Sequence, residues 1–278
     1  MTANDVGEPS PAHISPLITG SLTALGLIAA IYAAATLPTV ALPLQAKVFM
    51  LIWLALSVGI TMLVTPRFLV AGFLGGLMAM LIGWRIAGLH GVAIVTWPLL
   101  AAFIAFVFQF FDCLRRDRAR GAAAFMSASD WHLTLLRIYI GFDLVPHCTE
   151  KLFAGPGPRL DDVKAFAGMG LPYPEFFVVL GGLCEFGIVI GMGLGLLTRL
   201  AAPCAALYFF IATVIGGHFH NGFIWANMGG GWEYPLLMMG LFLTFMPRGA
   251  GPFSLDGAFG RAGLMPSSLR RLAMLGGE

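Results

Sequence analysis

Long apolar stretches joined by short polar connections run through most of the chain. A membrane-spanning helix needs about 20 mostly apolar residues, whereas a barrel strand needs about 10 with strict alternation. The stretches here are continuous and do not alternate, so they predict helices. We expect eight spans, at about residues 17–40, 46–65, 67–88, 91–113, 132–153, 174–198, 200–219 and 232–247.

The composition agrees with a protein that lives in a bilayer. Hydrophobic residues make up 58% of the 278 residues and charged residues only 11%. Soluble domains carry about 25% charged residues, so this chain is not a soluble globular enzyme. Its net charge of +2 includes no basic stripe, and we expect no nucleic-acid partner.

The basic residues predict how the chain is oriented and divided. Lys and Arg fall ten to five in the two alternating sets of loops, and the richer set, with RRDRAR at 115–120, faces the cytoplasm. We therefore predict an all-α integral protein of the bacterial inner membrane, with two four-helix halves and both termini cytoplasmic. The predicted segments are an N-terminal tail (1–16), a first half (17–113), a basic linker (114–130), a second half (131–256) and a C-terminal tail (257–278).

Ionisable residues within the spans are concentrated in the second half. Steps of about 100° per residue place Asp143, His147 and Lys151 on one face of the fifth span. Glu185 lies ten residues, or about 15 Å, beyond Glu175 in the sixth span, near the middle of the membrane. Charges at this depth are costly and often functional. The alternative for Glu185 is a neutral acid that bonds a neighbouring helix.

A polar and aromatic segment, GGHFHNGFIWANMGGGWEYP (216–235), follows the seventh span on the external side. His218 and His220 offer two imidazoles without an assured third ligand, so we predict no metal site. Trp225 fits either a lid over a polar pocket or the aromatic belt at the membrane interface. Glu233 begins the eighth span, where a carboxylate also favours the helix N-terminus.

Several strings in the second half carry a resemblance to a known family. They are LRIYIGFDLVPHCTEKLFA, the Glu185 helix ending in GLLTR, then HFHNGF, GGGWEYP and RGAGPFSLD. Over about residues 131–256 they resemble the DoxX family of four-helix membrane proteins, and its DoxD-like branch in particular. The resemblance adds Arg137 and Asn221 to the candidate residues. It implies redox work, because DoxD-type members form a thiosulfate:quinone oxidoreductase with a DoxA-type partner.

We therefore expect a membrane redox protein that passes electrons from a small periplasmic reductant, possibly thiosulfate, to quinone. Expected partners are the lipid bilayer, quinone and another membrane or periplasmic subunit, with no bound metal, haem or flavin. The alternatives are a non-catalytic structural or assembly subunit of a larger membrane redox or photosynthetic complex, and a proton-coupled transporter. The catalytic candidates are Glu185, His147, Asp143 and Lys151, and the substrate- or quinone-binding candidates are Arg137, His218, His220, Asn221, Trp225 and Glu233.

Overall fold

A computed structural model describes residues 16–273, and these form helices and turns without any β-strand. The all-α prediction is confirmed for this part of the chain. The predicted N-terminal tail lies outside it, apart from Pro16, which begins the first helix. In the first half, α2 continues into a π-helical stretch at Ile60–Val64. The four helices of this half are α1 (Pro16–Thr36), α2 (Leu44–Gly59), α3 (Leu69–Leu89) and α4 (Ala93–Ala119).

The second half holds more helices than the hydropathy pattern predicts. A π-helical stretch at Val189–Leu194 extends α8. A short helix, α7, occupies a connection in which we expected none, and two more lie in or at the edge of the predicted C-terminal tail. The helices are α5 (Ala128–Phe142), α6 (Val145–Leu152), α7 (Pro156–Gly168), α8 (Pro174–Ile188), α9 (Thr198–Ile215), α10 (Glu233–Leu243), α11 (Phe245–Arg248), α12 (Leu255–Arg261) and α13 (Ser267–Ala273).

Six helices in the described residues are long and apolar enough to cross a membrane. They correspond to the predicted first four, sixth and seventh spans. The predicted fifth span is instead two helices, α5 and α6, which meet at Asp143 and Leu144. Pro146 lacks the N–H that would continue the bonding pattern there. The predicted eighth span is the eleven-residue α10 followed by α11. The count of eight spans and the cytoplasmic termini stay predictions.

The two halves pack against each other through one continuous hydrophobic core. Phe73 and Phe110 of the first half contact Trp131 and Phe253 of the second, with ring centroids 5.5–5.8 Å apart. Aromatic pairs at such distances stabilise beyond their buried area. The halves are therefore one packed unit.

The connection between the halves is held by Asp117, near the end of α4. Its buried carboxylate accepts the backbone N–H of Phe125 at 2.6 Å, that of Met126 at 3.1 Å and the indole N–H of Trp131 at 2.8 Å. The predicted linker thus begins as helix and folds back onto it. On the opposite side of the core, Arg85 of α3 pairs with Glu150 of α6.

Candidate functional site

A buried ion pair lies where α6, α8 and α9 meet. Lys151 Nζ donates to Glu185 Oε1 at 3.1 Å, and the Tyr208 hydroxyl donates to the same oxygen at 2.6 Å. The Lys151 and Glu185 side chains are only 8% and 6% exposed. Charges removed from water are expensive unless they are paired and hydrogen-bonded, so this contact explains how both residues are tolerated.

One half of the Glu185 carboxylate is less well satisfied. Its Oε2 atom is buried and has no hydrogen-bond partner among the described residues. Lys151 Nζ also lies 3.3 Å from the His147 carbonyl oxygen. The pair therefore has one buried acceptor available to a further donor, such as a water or a substrate hydroxyl.

A glycine allows α6 and α8 to approach closely enough for this pair. A Cβ added at Gly182 would lie 2.8 Å from Lys151 Cβ and 2.9 Å from Leu152 Cγ. Carbon atoms that are not bonded do not approach within 3.0 Å, so any larger residue at this position would clash and push α6 away from α8. Gly182 thus positions the lysine that Glu185 requires.

Further polar groups on α6 and α7 lie around Lys151, two of which the sequence analysis missed. The His147 side chain is exposed, and Arg159 Nε donates to the Lys151 carbonyl at 3.0 Å. Asp162 on α7 has a buried Oδ2 atom without a hydrogen-bond partner. Burial raises the pKa of Asp162, while the positive charges of Lys151 and His147 pull it down. Lys151 and His147 therefore both lie close to the Asp162 carboxylate.

Asp143 does not join the Glu185 pair. It lies at the junction of α5 and α6, where its Oδ2 accepts the hydroxyl of Tyr234 from α10. The shared face predicted for Asp143, His147 and Lys151 is therefore divided between two neighbours, α10 and α8. The sequence could not show this, because helical spacing gives directions on one helix and not the partners around it.

Arg137 lies away from both carboxylates and is fully buried. Its guanidinium donates to the carbonyl oxygens of Met192 at 2.6 Å, Gly193 at 2.8 Å and Phe253 at 2.6 Å. The last carbonyl oxygens of a helix have no N–H donor within that helix. Arg137 supplies this donor to Met192 and Gly193, near the end of the π-helical stretch. This geometry favours a structural role for Arg137.

Asp256 lies near Arg137 and caps the start of α9. Its carboxylate accepts the backbone N–H of Leu197 at 2.8 Å and that of Thr198 at 3.0 Å. Leu197 has a φ of 52°, a left-handed conformation that is rare for a bulky residue and persists only when its surroundings enforce it. Burial raises the pKa of Asp256. The two N–H donors and the charge of Arg137 lower it in part, but the effect of burial is larger.

The loop between α9 and α10 is closed mainly by its own residues. His218 Nδ1 and Asn221 Nδ2 both lie within 3.1 Å of the Gly230 carbonyl oxygen. The Trp225 backbone N–H donates to Glu233 Oε2 at 3.1 Å. His220 is exposed on the same loop. Five predicted binding residues thus lie together, and four of them make hydrogen bonds that stabilise the loop.

The loop is linked to Asp143 by a row of tilted rings. The His218 ring lies 5.7 Å from the Trp225 ring, which lies 5.3 Å from the ring of Tyr234, the residue whose hydroxyl binds Asp143.

Among residues 16–273, no three His, Cys, Asp or Glu side chains are grouped closely enough to hold a metal ion.

The second half also contains the segment that matches a known protein family. Residues 132–218 match the DoxX family model. The DoxX match contains Lys151, Glu185 and Tyr208, and it ends before Glu233 and Tyr234. It confirms the resemblance over this region without separating the DoxD-like branch from other DoxX proteins. No curated protein and no solved structure was found to match the chain.

Proposed function

We propose that this DoxX-type membrane protein passes electrons from a small external reductant to a quinone in the bilayer. The observation that carries the proposal is the buried Lys151–Glu185–Tyr208 group with its unpartnered Glu185 Oε2. In this proposal the chain lies in the bacterial inner membrane with both termini cytoplasmic, and α5–α6 and α10–α11 cross it as broken helices.

Quinone reduction takes up two electrons and two protons, and the protons must reach a ring held in lipid. Glu185 and Tyr208 are groups that can hold and donate a proton at that depth. His147 is exposed on α6, and Asp162 of α7 lies near both His147 and Lys151. They supply a route by which protons enter from the external face and reach Glu185.

The reductant is proposed to be a small anion such as thiosulfate. Two thiosulfate ions that join through a new S–S bond release the two electrons that one quinone requires. Lys151 is neutralised by Glu185, so it is poorly placed to attract a free anion. We propose instead that Arg159 attracts the anion. Its side chain is partly exposed and donates a hydrogen bond to the Lys151 carbonyl.

The test is thiosulfate-dependent reduction of decylubiquinone by the full chain, solubilised gently enough to keep its partners. Glu185→Gln and Tyr208→Phe remove proton-carrying groups with little change of shape. We expect each to lower the rate by about 100-fold or more. Glu175→Gln is the matched control, because Glu175 is exposed at the start of the same helix. Equal rates in wild type and E185Q would refute the proposed site.

The second candidate is a non-catalytic subunit of a larger membrane complex. It is favoured by the way predicted site residues bond to their own scaffold, as Arg137 does to three carbonyls and His218 to its own loop. A preparation without thiosulfate-dependent activity that keeps another membrane protein in fixed stoichiometry would establish this alternative.

A further inference from the structure

A cavity of about 450 Å³, open on one side, lies between the two halves and away from the Lys151–Glu185 pair. Its walls come from α3 and α4 on one side and α5 on the other, and the start of α6 closes one end. Sites for small molecules measure about 300–1,000 Å³, so the volume suits a single ligand.

The walls of this cavity are aromatic on both sides. Phe73, Phe106 and Phe110 come from the first half and Tyr139 from the second. Phe73 lies 5.2 Å from Phe106 and 5.5 Å from Phe110 at tilted angles, so the rings on this wall already pack on one another. Offset and edge contacts of this kind favour a flat ring over a saturated chain.

The end of the cavity at the α5–α6 junction carries a carboxylate, that of Asp143. Its Oδ2 accepts the Tyr234 hydroxyl, but a carboxylate has acceptor sites for about four hydrogen bonds. A donor entering the cavity therefore finds a charged acceptor at its end and apolar rings along its length. A hydrogen bond to a charged acceptor is stronger than one between neutral groups.

We propose that this cavity binds a lipid-soluble phenol, with the ring between the phenyl groups and the hydroxyl donating to Asp143. Phenols and hydroquinones share the two features that the walls require, a planar apolar ring and a hydroxyl donor. An acyl chain lacks both. The site would exist whether or not the Glu185 group is a catalytic centre, so the proposal is independent of the proposed function.

The test uses 4-nonylphenol and its matched analogue nonylbenzene, which lacks the hydroxyl. Binding to the full chain in lipid nanodiscs is measured by titration calorimetry, with empty nanodiscs subtracted for partitioning. We expect 4-nonylphenol to bind about tenfold or more tightly than nonylbenzene. Asp143→Ala should abolish that difference, whereas Tyr234→Phe should keep or increase it, because it frees an acceptor site on Asp143.

Filling the cavity gives a second, independent test. Val107→Trp on α4 and Leu135→Trp on α5 fill it from opposite walls, and each should remove 4-nonylphenol binding. Phe108→Trp is the matched control, since Phe108 is the next residue on α4 and is 64% exposed. Variants are compared only when they keep the wild-type thermal transition. Equal binding of the two probes, or unchanged binding in a folded cavity-filling variant, would overturn the proposal.

Discussion

Because Lys151 and Glu185 are both buried, we expect a large coupling free energy between their charges. Lys151→Met and Glu185→Gln each remove one charge and leave the other where its side chain is less than 10% exposed. Breaking a buried ion pair in this way costs about 3–5 kcal/mol. We expect a somewhat smaller loss, about 2–4 kcal/mol for each variant, because the remaining partner keeps Tyr208 or the His147 carbonyl.

The double variant K151M/E185Q leaves no unpaired charge. We therefore expect the double variant to be at least as stable as the less stable of the two single variants. The coupling free energy between Lys151 and Glu185 should then be about 2 kcal/mol or more. Neutral hydrogen bonds between membrane helices average only about 0.6 kcal/mol, so a coupling of this size would mark a true ion pair. The assay is reversible unfolding of the full chain in mixed micelles, followed by circular dichroism.

An exposed pair in the same chain provides the matched control. Lys164 and Asp161 also lie 3.1 Å apart, but their side chains are 76% and 78% exposed. The cycle of Lys164→Met and Asp161→Asn should give a coupling of less than about 0.5 kcal/mol, because water screens the charges. Additive losses in the Lys151–Glu185 cycle, within about 0.5 kcal/mol, would refute the reasoning.

Three further predictions concern carboxylates with structural roles. Asp256→Ala leaves the N–H groups of Leu197 and Thr198 without their acceptor and should lower the free energy of unfolding by about 2–4 kcal/mol; an unchanged unfolding midpoint would contradict this. Asp162 has a raised pKa, so its contribution to stability is present at low pH and lost as the pH rises through the folded value. The D162N variant should therefore lose less stability than wild type between pH 4 and 8 in thermal scans. Asp117→Ala removes the acceptor of three N–H donors and should expose the interhelical connection to limited proteolysis well before wild type is cut.

The sequence predicted the helical class and singled out Glu185 within an apolar helix, because apolar length and a charge within a span are local signals. It did not predict that Lys151 pairs with Glu185, since the two are 34 residues apart and meet only through packing. Tyr208 gave no signal because an aromatic residue in an apolar span is ordinary. Asp162 gave no signal because the hydropathy pattern predicts only a connection between residues 153 and 174.

The broken helices were harder to predict for another physical reason. Hydropathy measures how apolar a stretch is, and the stretch at 132–153 is apolar enough overall to suggest one span. The break at Asp143 and Leu144 depends on Pro146 and on the Tyr234 hydroxyl that binds Asp143. Tertiary contacts of this kind decide where a helix ends, and no local pattern records them.

The contacts of Arg137 limit how far the chain can be shortened at its C-terminal side. Its three acceptors include the Phe253 carbonyl, and Asp256 lies nearby, yet both are more than 30 residues beyond the segment that matches DoxX. A fragment cut at residue 218 would carry a guanidinium stripped of one acceptor and of its neighbouring negative charge. A shortened chain should therefore extend at least through α12 and keep the first half, on which Phe253 also packs.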